Sequence, residues 1–546
     1  MAKVLNSENF IIIQQELMKR FTAFLTLLIS TYATGLYAQD MGNLSGDLMM
    51  NANFFDRDAE INAANNPLYD NYLSGGEAWL GLRYYNKGFT ATLRADAFHN
   101  SNLYNPIQAL NGFGIGAWSL SKEYEGLTVT AGYIYDQIGS GILFRAYEDR
   151  GLLIDNALVG VHLKYELTDN FIVKGFTGQS KNVFERYQPI IKGLNTEGSF
   201  SIGDKIFMTS GAGAINRTFD ENTMKDIVSN INSQDINTRF VPKFNMYAFT
   251  LYNTLTVGDV SWFIEGSYKT TDAIVKDGIL QSKPGNVLFT TLSWARKGIA
   301  VNLTGKRTEN FEMRTSPNEV LIRGLMNWQP IVARLRPQRL MARYTPASLN
   351  LSEIAAGGDV LIAPNDDLSI TLNYTHINTL EETKLYREVY TEIEYRGWEK
   401  FKLQVGNQYM EYNQELYQIK PLVPMIIAWT PFFELTYLIN DKMSIRTEWE
   451  YQHTKQDFGS WIFGLVEFNI APRWSFALSD MYNPVPGPSA TTGSQHYYNI
   501  FFAHTKGPHR FTASYVKQVE GINCTGGVCR YEPAFSGVRF GLTSTF

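Results

Sequence analysis

Two pairs of acidic residues have a spacing that would bring their carboxylates together. Glu392 and Glu394 are separated by one residue, as are Glu448 and Glu450. Side chains two positions apart in a β-strand lie on the same face, and two neighbouring carboxylates are the usual catalytic groups of a glycoside hydrolase. Basic residues occupy similar positions, namely Arg94, Lys164, Arg396, Lys402 and Arg446. Because charges of both signs are mixed, we predict that they line a polar interior rather than a catalytic cleft.

Other catalytic signals are weak. Ser119 and Lys122 have the spacing of a serine–lysine pair, but a strand-like segment would turn their side chains to opposite faces. The seven histidines are scattered, and the sequence contains no His-Glu-x-x-His pair, phosphate-binding loop or calcium-binding loop. We therefore predict a protein that is not an enzyme and has no metal and no cofactor, with a barrel hydrolase as the least favoured alternative.

A charged loop motif surrounds a Gly-Ser-Gly break at residues 139–141. Its polar members are Gln137, Arg145, Glu148, Asp149 and Arg150. One interpretation is that this loop folds inward and presents its charges at the mouth or in the lumen of a channel. The other, which we favour, is that its arginines and carboxylates pair with each other and fix the loop.

The segments that must position these groups alternate between apolar and polar residues. The clearest examples are residues 43–54, 89–96, 159–167, 368–375, 401–406 and 443–452. Successive side chains of a strand point to opposite faces, so this pattern predicts strands that each have one apolar and one polar face.

Ten short polar turns separate these segments in pairs, beginning with Asn86-Lys87-Gly88 and ending with Lys506-Gly507-Pro508. Their Asn, Asp and Gly residues tolerate the left-handed conformations that hairpins need. Longer irregular stretches lie between the hairpins, at residues 55–75, 138–155, 181–241, 310–355 and 483–496. Ten hairpins make twenty strands, and one strand at each end gives about 22, although 18, 20 or 24 strands also fit. We predict an all-β transmembrane antiparallel barrel with short periplasmic turns and long extracellular loops.

A soluble β-sandwich or propeller is the alternative architecture. Aromatic residues such as Tyr165, Trp262 and Trp449 lie near the ends of the apolar faces, as the interfacial girdles of a membrane barrel require. The chain also ends in an alternating run from Val538 to Phe546. That ending resembles the C-terminal signal by which the barrel-assembly machinery recognises outer-membrane proteins. Both features favour the membrane barrel.

The N-terminus predicts export. A basic pair precedes a short apolar run and small residues up to Ala38, which is the pattern of a secretory signal peptide. We expect residues 1–38 to be this signal, with Met18 as the true start, and residues 39–546 to be a single outer-membrane barrel domain. A membrane anchor is the alternative, but the apolar run is too short to span a bilayer.

Composition excludes several classes of protein. The chain has 48 basic and 53 acidic residues, a net charge of −5, which argues against nucleic-acid binding. A hydrophobic content of 44% excludes disorder. Two cysteines are too few for a structural zinc site. In an exported protein, we predict that Cys524 and Cys529 form a small disulfide in the last long loop.

The first predicted strand begins soon after Ala38, which leaves no room for the globular plug of a TonB-dependent transporter. A lumen enclosed by about 22 strands is wide, so we expect residues 181–241 and 310–355 to fill it. The second stretch contains Arg334, Arg336, Arg339 and Arg343. Residues 220–233 predict a short helix capped by an aspartate.

Residues 131–156 resemble a motif of Bacteroidota outer-membrane barrel proteins that form a family of unknown function. The matching residues are Gln137, Gly139-Ser140-Gly141, Arg145, Tyr147-Glu148-Asp149-Arg150 and Ile154-Asp155-Asn156. The tail from Cys524 to Phe546 resembles the same family. This resemblance implies location and architecture, but no activity.

The sequence therefore predicts a protein of the cell outer membrane that acts as a channel or transport component with a loop-constricted lumen. The alternative is a non-catalytic structural or interaction subunit of an envelope assembly, with a surface or periplasmic lipoprotein as its partner. Both alternatives imply contact with outer-membrane lipid and with the barrel-assembly machinery during biogenesis, and neither implies contact with nucleic acid.

Overall fold

Twenty-four β-strands form one closed antiparallel sheet in the computed structural model. The structure describes residues 42–64, 70–103, 109–276, 278–319, 323–347, 351–490, 493–525 and 528–546. The first strand pairs with both the second and the last, so the sheet closes on itself as a barrel. The expected count of about 22 is corrected to 24, which lies within the range that the turns allowed.

The strands follow each other around the barrel in chain order, and we number them β1 to β24. The first eight are β1 (Asn43–Phe55), β2 (Ser74–Asn86), β3 (Phe89–Ser101), β4 (Leu110–Tyr124), β5 (Leu127–Ile134), β6 (Leu158–Thr168), β7 (Phe171–Asn182) and β8 (Glu185–Ile202). The next eight are β9 (Ile206–Thr218), β10 (Asn245–Val257), β11 (Val260–Lys276), β12 (Ile279–Arg296), β13 (Ile299–Glu309), β14 (Glu353–Ile362), β15 (Leu368–Thr379) and β16 (Lys384–Tyr395). The last eight are β17 (Phe401–Tyr412), β18 (Ile426–Asn440), β19 (Met443–Gln452), β20 (Gly459–Ile470), β21 (Trp474–Pro486), β22 (His496–Lys506), β23 (His509–Gln518) and β24 (Phe535–Thr545).

An eleventh short turn, Gly203-Asp204-Lys205, accounts for the two additional strands. It joins β8 to β9, so most of residues 181–241 belongs to the barrel wall and does not fill the lumen, contrary to our expectation. Glycines interrupt the alternation here and obscure the strand pattern. Gly193 in β8 leaves space for the Phe176 ring, because a Cβ at this position would lie 2.2 Å from that ring.

The outer surface of the barrel is apolar. Leu93, Phe249, Leu372 and Ile500 lie on different strands, and each exposes between 41% and 54% of its surface. A continuous exposed apolar band of this kind is stable against lipid but not against water. The fold is therefore a transmembrane antiparallel β-barrel.

Little of the described chain is helical. The predicted helix is present as α1 (Glu221–Ser233), and Asp220 caps it by accepting hydrogen bonds from the backbone N–H groups of Asn222 and Thr223 at 2.9 and 3.1 Å. The described residues also contain three short 3-10 turns and one single-turn helix, α2, with the bounds Ala59–Ile61, Ile236–Thr238, Met341–Tyr344 and Gln414–Tyr417. Among the described residues, no helix is both long and apolar enough to cross a membrane.

Two predictions fall outside what the structure describes. Residues 1–38, the predicted signal peptide, lie before the described residues. Cys524 and Cys529 occupy paired backbone positions in a hairpin formed by Gly521–Thr525 and Val528–Glu532, but their side chains are outside the described set. The disulfide stays a prediction.

Candidate functional site

The charged loop motif lies inside the barrel. Residues 135–157, here called the first inserted segment, leave the wall after β5 and return to it at β6. The segment forms two short ribbons, in which Gln137–Ile138 pairs with Phe144–Arg145 and Glu148–Asp149 pairs with Ile154–Asp155.

The Gly-Ser-Gly break allows the first ribbon to turn. Gly139 and Gly141 have φ angles of 56° and 94°, which glycine adopts without the steric cost of a Cβ atom. Between them, the backbone N–H of Ser140 donates a hydrogen bond of 2.9 Å to Glu265 on β11. The motif therefore fixes the turn against a part of the wall five strands beyond β6.

Apolar side chains seat this segment. Ile138, Ile142 and Leu143 are fully buried and belong to a cluster that includes Phe176 and Ile215 on the wall. Burial of each such side chain contributes about 1.5–3 kcal/mol. The interior of the barrel thus has a packed apolar core at this level.

Arg94 on β3 is the centre of a buried charge network. Its guanidinium lies 2.7 Å from Asp96, 2.9 Å from Glu148 and 2.5 Å from Asp155. Lys181 on β7 also forms an ion pair with Asp155. These contacts join the first inserted segment to two different strands, and loss of Arg94 would remove the central cation that its three acidic partners share.

The other residues of the loop motif have distinct contacts. Arg150 bridges Glu148 and Asp47 of β1, each at 2.5 Å. Asp149 accepts a hydrogen bond from the backbone of Leu152 at 3.1 Å. The structure therefore places the charges of the motif in the lumen and also pairs most of them.

Arg145 and Gln137 do not take part in this network. The Arg145 guanidinium lies over the rings of Tyr147 and Trp328, at 4.2 and 4.9 Å from their centroids. Within the described residues it has no ion pair. The Gln137 amide donates to the Gly139 carbonyl at 3.1 Å, which stabilises the turn of the same ribbon.

The base of the first inserted segment is fixed by a further ion pair. Asp136 lies 2.8 Å from the Lys174 ammonium and 3.2 Å from the His162 ring. Burial acts against ionisation of this carboxyl, but the contacts with His162 and Lys174 outweigh it and lower the pKa of Asp136.

A second inserted segment, residues 310–319 and 323–347, packs against the first. Backbone hydrogen bonds of 3.0 Å run from Arg145 to Met326 and from Trp328 to Gly141. The Asn327 amide donates to the Ile142 carbonyl, also at 3.0 Å. The two segments form one unit, which we call the inner plug.

Buried cations of the wall hold the start of the second segment. Lys269 donates to the carbonyl of Glu312 at 2.8 Å, and Arg217 donates to the carbonyl of Arg314 at 2.9 Å. Lys306 of β13 donates to the Pro330 carbonyl at 2.9 Å. Each of these wall residues is almost completely buried.

Arg336 anchors the middle of the second segment. It donates to Glu388 of β16 at 2.9 Å and to Asn373 of β15 at 2.8 Å, and its guanidinium lies 3.5 Å from the centroid of the Tyr390 ring. Glu388 has no exposed surface. The pair is therefore a fully desolvated ion pair inside the barrel.

The end of the second segment binds β19 and the loop after it. The Leu340 N–H donates to Glu450 at 3.0 Å, and Gln452 donates back to the Leu340 carbonyl at 2.9 Å. The Tyr344 hydroxyl donates to Asp457 at 2.9 Å. Glu450, one of the paired carboxylates predicted from the sequence, thus accepts a hydrogen bond from the backbone of the inner plug.

Most of the remaining charges predicted for the lumen form ion pairs, and Glu392 forms a hydrogen bond with a neutral group. Arg446 lies 2.9 Å from Glu448, 2.8 Å from Glu434 and 3.0 Å from Glu467. Lys402 lies 3.1 Å from Glu394, which Arg396 also contacts. Glu392 accepts from the Tyr390 hydroxyl, and Lys164 pairs with Glu166 at 2.7 Å.

Sequence reasoning missed the wall residues that hold the plug. Glu388 has the same strand parity as Glu392 and Glu394, so its inward position was readable from the alternation. Its partner Arg336 lies 52 positions away, and a single sequence gives no information on that pairing.

A polar cavity remains beside the plug. It has a volume of about 340 Å³ and lies between Gly151 of the first segment and the wall formed by β1, β2, β23 and β24. Its polar lining residues are Asn51, Asn53, Glu77, Asn102, Thr512, Ser514, Gln518, Tyr531, Glu532 and Arg539. One side of the lumen therefore contains an open polar space, while the other is packed.

The described residues show no arrangement typical of catalysis. No group of three or more His, Cys, Asp or Glu side chains among them could hold a metal ion. Ser119 contacts Thr92 at 2.6 Å, whereas Lys122 donates to the Lys87 carbonyl at 2.9 Å, so the serine and lysine do not meet.

A protein family described as being of unknown function, DUF6029, matches residues 18–546. The chain belongs to this family. The resemblance that residues 131–156 suggested, to a family of unknown function, is thereby confirmed. In this chain, residues 131–134 of that motif belong to β5, and residues 135–156 lie in the first inserted segment.

Several solved structures are similar to this DUF6029 barrel at low sequence identity. The translocation pore of the P pilus usher PapC is 10% identical with a TM-score of 0.42, over 92% of this chain and 99% of that chain. The siderophore receptor PirA from Pseudomonas aeruginosa is 8% identical with a TM-score of 0.41, over 93% and 81%. Pseudomonas aeruginosa OpdK, solved with vanillate, is 11% identical with a TM-score of 0.34, over 80% and 99%. No curated protein matches the sequence.

Proposed function

We propose that the protein is an outer-membrane channel or transport component whose lumen is constricted by the inner plug. The observation that carries this proposal is the position of the plug. It is hydrogen-bonded or ion-paired to wall strands from β1 to β19, yet it leaves a polar cavity beside β23, β24, β1 and β2. A barrel whose only role was to anchor loops would not need an open polar space at this level.

The wall that continues this cavity has small polar side chains. Ser479 of β21, Asn499 of β22 and Ser514 of β23 alternate with the exposed apolar residues Leu478 and Ile500, and so face the lumen. Small uncharged groups leave space and bind passing solutes weakly, which conduction requires. We infer that solutes cross along this side of the lumen.

The proposed location is the outer membrane. The apolar outer band fits lipid, the predicted signal peptide fits export, and the alternating C-terminal strand fits recognition by the barrel-assembly machinery. Outer-membrane lipid and this machinery are therefore the partners we propose. Fractionation of cells that express the full chain tests the location, because soluble periplasmic recovery would contradict it.

Planar bilayer recording of the purified full chain tests the function. We expect a small, stable, ohmic conductance, since the plug leaves only part of the lumen open. A matched variant in which residues 326–345 are replaced by a Gly/Ser linker of equal length should conduct many times more current. An equal current in both proteins would show that the second segment does not constrict the lumen.

A second candidate is a non-catalytic interaction subunit of an envelope assembly. Large apolar side chains in the long loops favour it, because Leu73, Val241 and Leu422 are 77%, 87% and 95% exposed. To bind another protein, these side chains would have to form one contiguous patch, because single exposed apolar residues are common on protein surfaces. A surface or periplasmic lipoprotein is the proposed partner. A silent bilayer together with a lipoprotein that co-purifies stoichiometrically would favour this candidate over a channel.

A further inference from the structure

The second inserted segment is strongly basic. Residues 310–352 contain six arginines and two glutamates, and no lysine or aspartate. From Gln329 to Arg343 there are four arginines and no acid. The segment therefore brings a local excess of positive charge into the lumen of a chain whose net charge is −5.

Two of these arginines are paired with the wall and two are not. Arg336 is bound by Glu388, and Arg334 lies 3.4 Å from Asp359. Arg339 and Arg343 have no ion pair within the described part of the chain. The segment makes a helical turn here, in which the Ala342 N–H donates to the Gln338 carbonyl at 3.0 Å. Arg339 and Arg343 are four positions apart, so both lie on one side of this turn.

Arg339 exposes its side chain although it lies between residues of the barrel interior. The acids close enough to act on its charge are Glu450 and Glu532. Glu450 accepts from the Leu340 N–H at 3.0 Å, and Glu532 accepts from the Gln518 amide at 2.7 Å. Arg339 forms an ion pair with neither acid in the described part of the chain, so no salt bridge offsets the desolvation of its guanidinium inside the barrel.

Arg343 supplies a second positive group beside it. Its guanidinium lies 4.5 Å from the centroid of the Trp461 ring. Its Nε is buried without a hydrogen-bond partner. A buried donor without a partner is costly unless a further group completes it.

A third arginine, Arg539, lines the polar cavity, whose lining includes neither Arg339 nor Arg343. Glu532 lines the polar cavity together with Arg539, which donates to Gln518 at 3.2 Å. Arg539 also lies over the Phe535 ring, at 4.0 Å from its centroid. Cations therefore lie on the plug side and on the wall side of the proposed pathway.

We propose that Arg339 and Arg343 form an anion-binding site in the lumen, which selects small solutes that carry a carboxylate or a phosphate group. A guanidinium presents a planar fork of donors that matches the oxygens of either group. Rings and clusters of arginine in a narrow pathway favour anions because the field is poorly screened there. The proposal rests on the proposed channel function and names its solute class.

Ion selectivity in planar bilayers tests it first. With a tenfold KCl gradient across the full chain, the reversal potential should show preference for chloride over potassium. Arg339→Gln should lower this preference, Arg339→Glu should reverse it, and Arg339→Lys should retain it. The control is Arg296→Gln, which removes the same charge from an exposed periplasmic turn and should change nothing. The proposed site would be refuted if the wild type conducts without anion preference, or if Arg339→Gln shows the same preference as the wild type. Either result would leave the proposed channel function standing.

Equilibrium dialysis separates failure of the site from failure of the channel. Detergent-purified wild type should bind labelled inorganic phosphate or labelled succinate at low salt, and the stronger of the two identifies the preferred group. Arg339→Gln should weaken that binding about tenfold or more, since charge-assisted hydrogen bonds contribute at this scale. A silent bilayer with this binding pattern would refute the channel and support the site. Absence of binding of both anions, or equal binding by both proteins, would refute the site.

Discussion

Replacement of Arg336 by alanine should open the lumen. The Arg336 guanidinium holds the second inserted segment to Glu388, Asn373 and Tyr390 on two neighbouring wall strands. Without it, the Glu388 carboxylate would be left with no cation in a position that has no exposed surface. We therefore expect the closed position of the plug to lose stability relative to positions that hydrate Glu388.

The size of the effect follows from burial. Removal of one partner of a buried ion pair costs about 3–5 kcal/mol, which corresponds to an increase of roughly a hundredfold to several thousandfold in the open-to-closed ratio of the segment. Arg334 is the matched control, because it lies two positions away but is 53% exposed and 3.4 Å from Asp359. An exposed pair of this kind contributes only about 0–1 kcal/mol.

Single-channel recording measures this difference directly. Arg336→Ala should show frequent, large openings under conditions in which the wild type and Arg334→Ala conduct little. A double variant, Arg336→Met with Glu388→Gln, should recover much of the closed state because neither residue then leaves a charge unpaired. The reasoning is refuted if Arg336→Ala and Arg334→Ala behave alike, or if the double variant opens more than Arg336→Ala.

Two further predictions concern stability. In Gly116→Ala, the added Cβ would lie 1.8 Å from an oxygen of Asp96 and push that carboxylate out of the Arg94 network. Thermal unfolding, followed by circular dichroism, should therefore occur at a temperature several degrees lower than in the wild type. The control is Gly266→Ala, whose added Cβ has no atom within 4 Å and should leave the unfolding temperature unchanged. Asp220→Ala should make the amides of α1 exchange faster with deuterium, since loss of a helix cap costs about 1 kcal/mol. Burial opposes ionisation of Asp220, but its hydrogen bonds outweigh this effect and lower its pKa. Faster exchange of the α1 amides should therefore also appear in the wild type as the pH falls below the ordinary carboxyl range, and it should be absent above that range.

Most strands of the barrel wall could be predicted from the sequence, because each strand and turn is determined by residues that are close together in the chain. Alternation fixes which side chains face lipid, and turn residues fix where a strand reverses. Each of the ten short turns predicted from sequence joins neighbouring strands. The eleventh, at Gly203-Asp204-Lys205, has the same chemistry, but glycines in the preceding strand hide the alternation that would have identified it.

The contents of the lumen were readable only in part. An arginine-rich stretch and a charged loop both indicate segments that need partners, and the structure places both inside the barrel. Their partners are set by register over long separations, as in the contact between Arg94 and Asp155 or between Arg336 and Glu388. Such pairs depend on how the whole sheet closes, which local patterns do not determine.

A cryo-electron microscopy map of the full chain in lipid nanodiscs tests the central claim most directly. The structure predicts a ring of 24 strands surrounded by a lipid belt, with density for the second inserted segment inside the ring and Arg336 against Glu388. An empty ring, or strands packed without a surrounding belt of lipid, would contradict a membrane barrel that is constricted by its own loops.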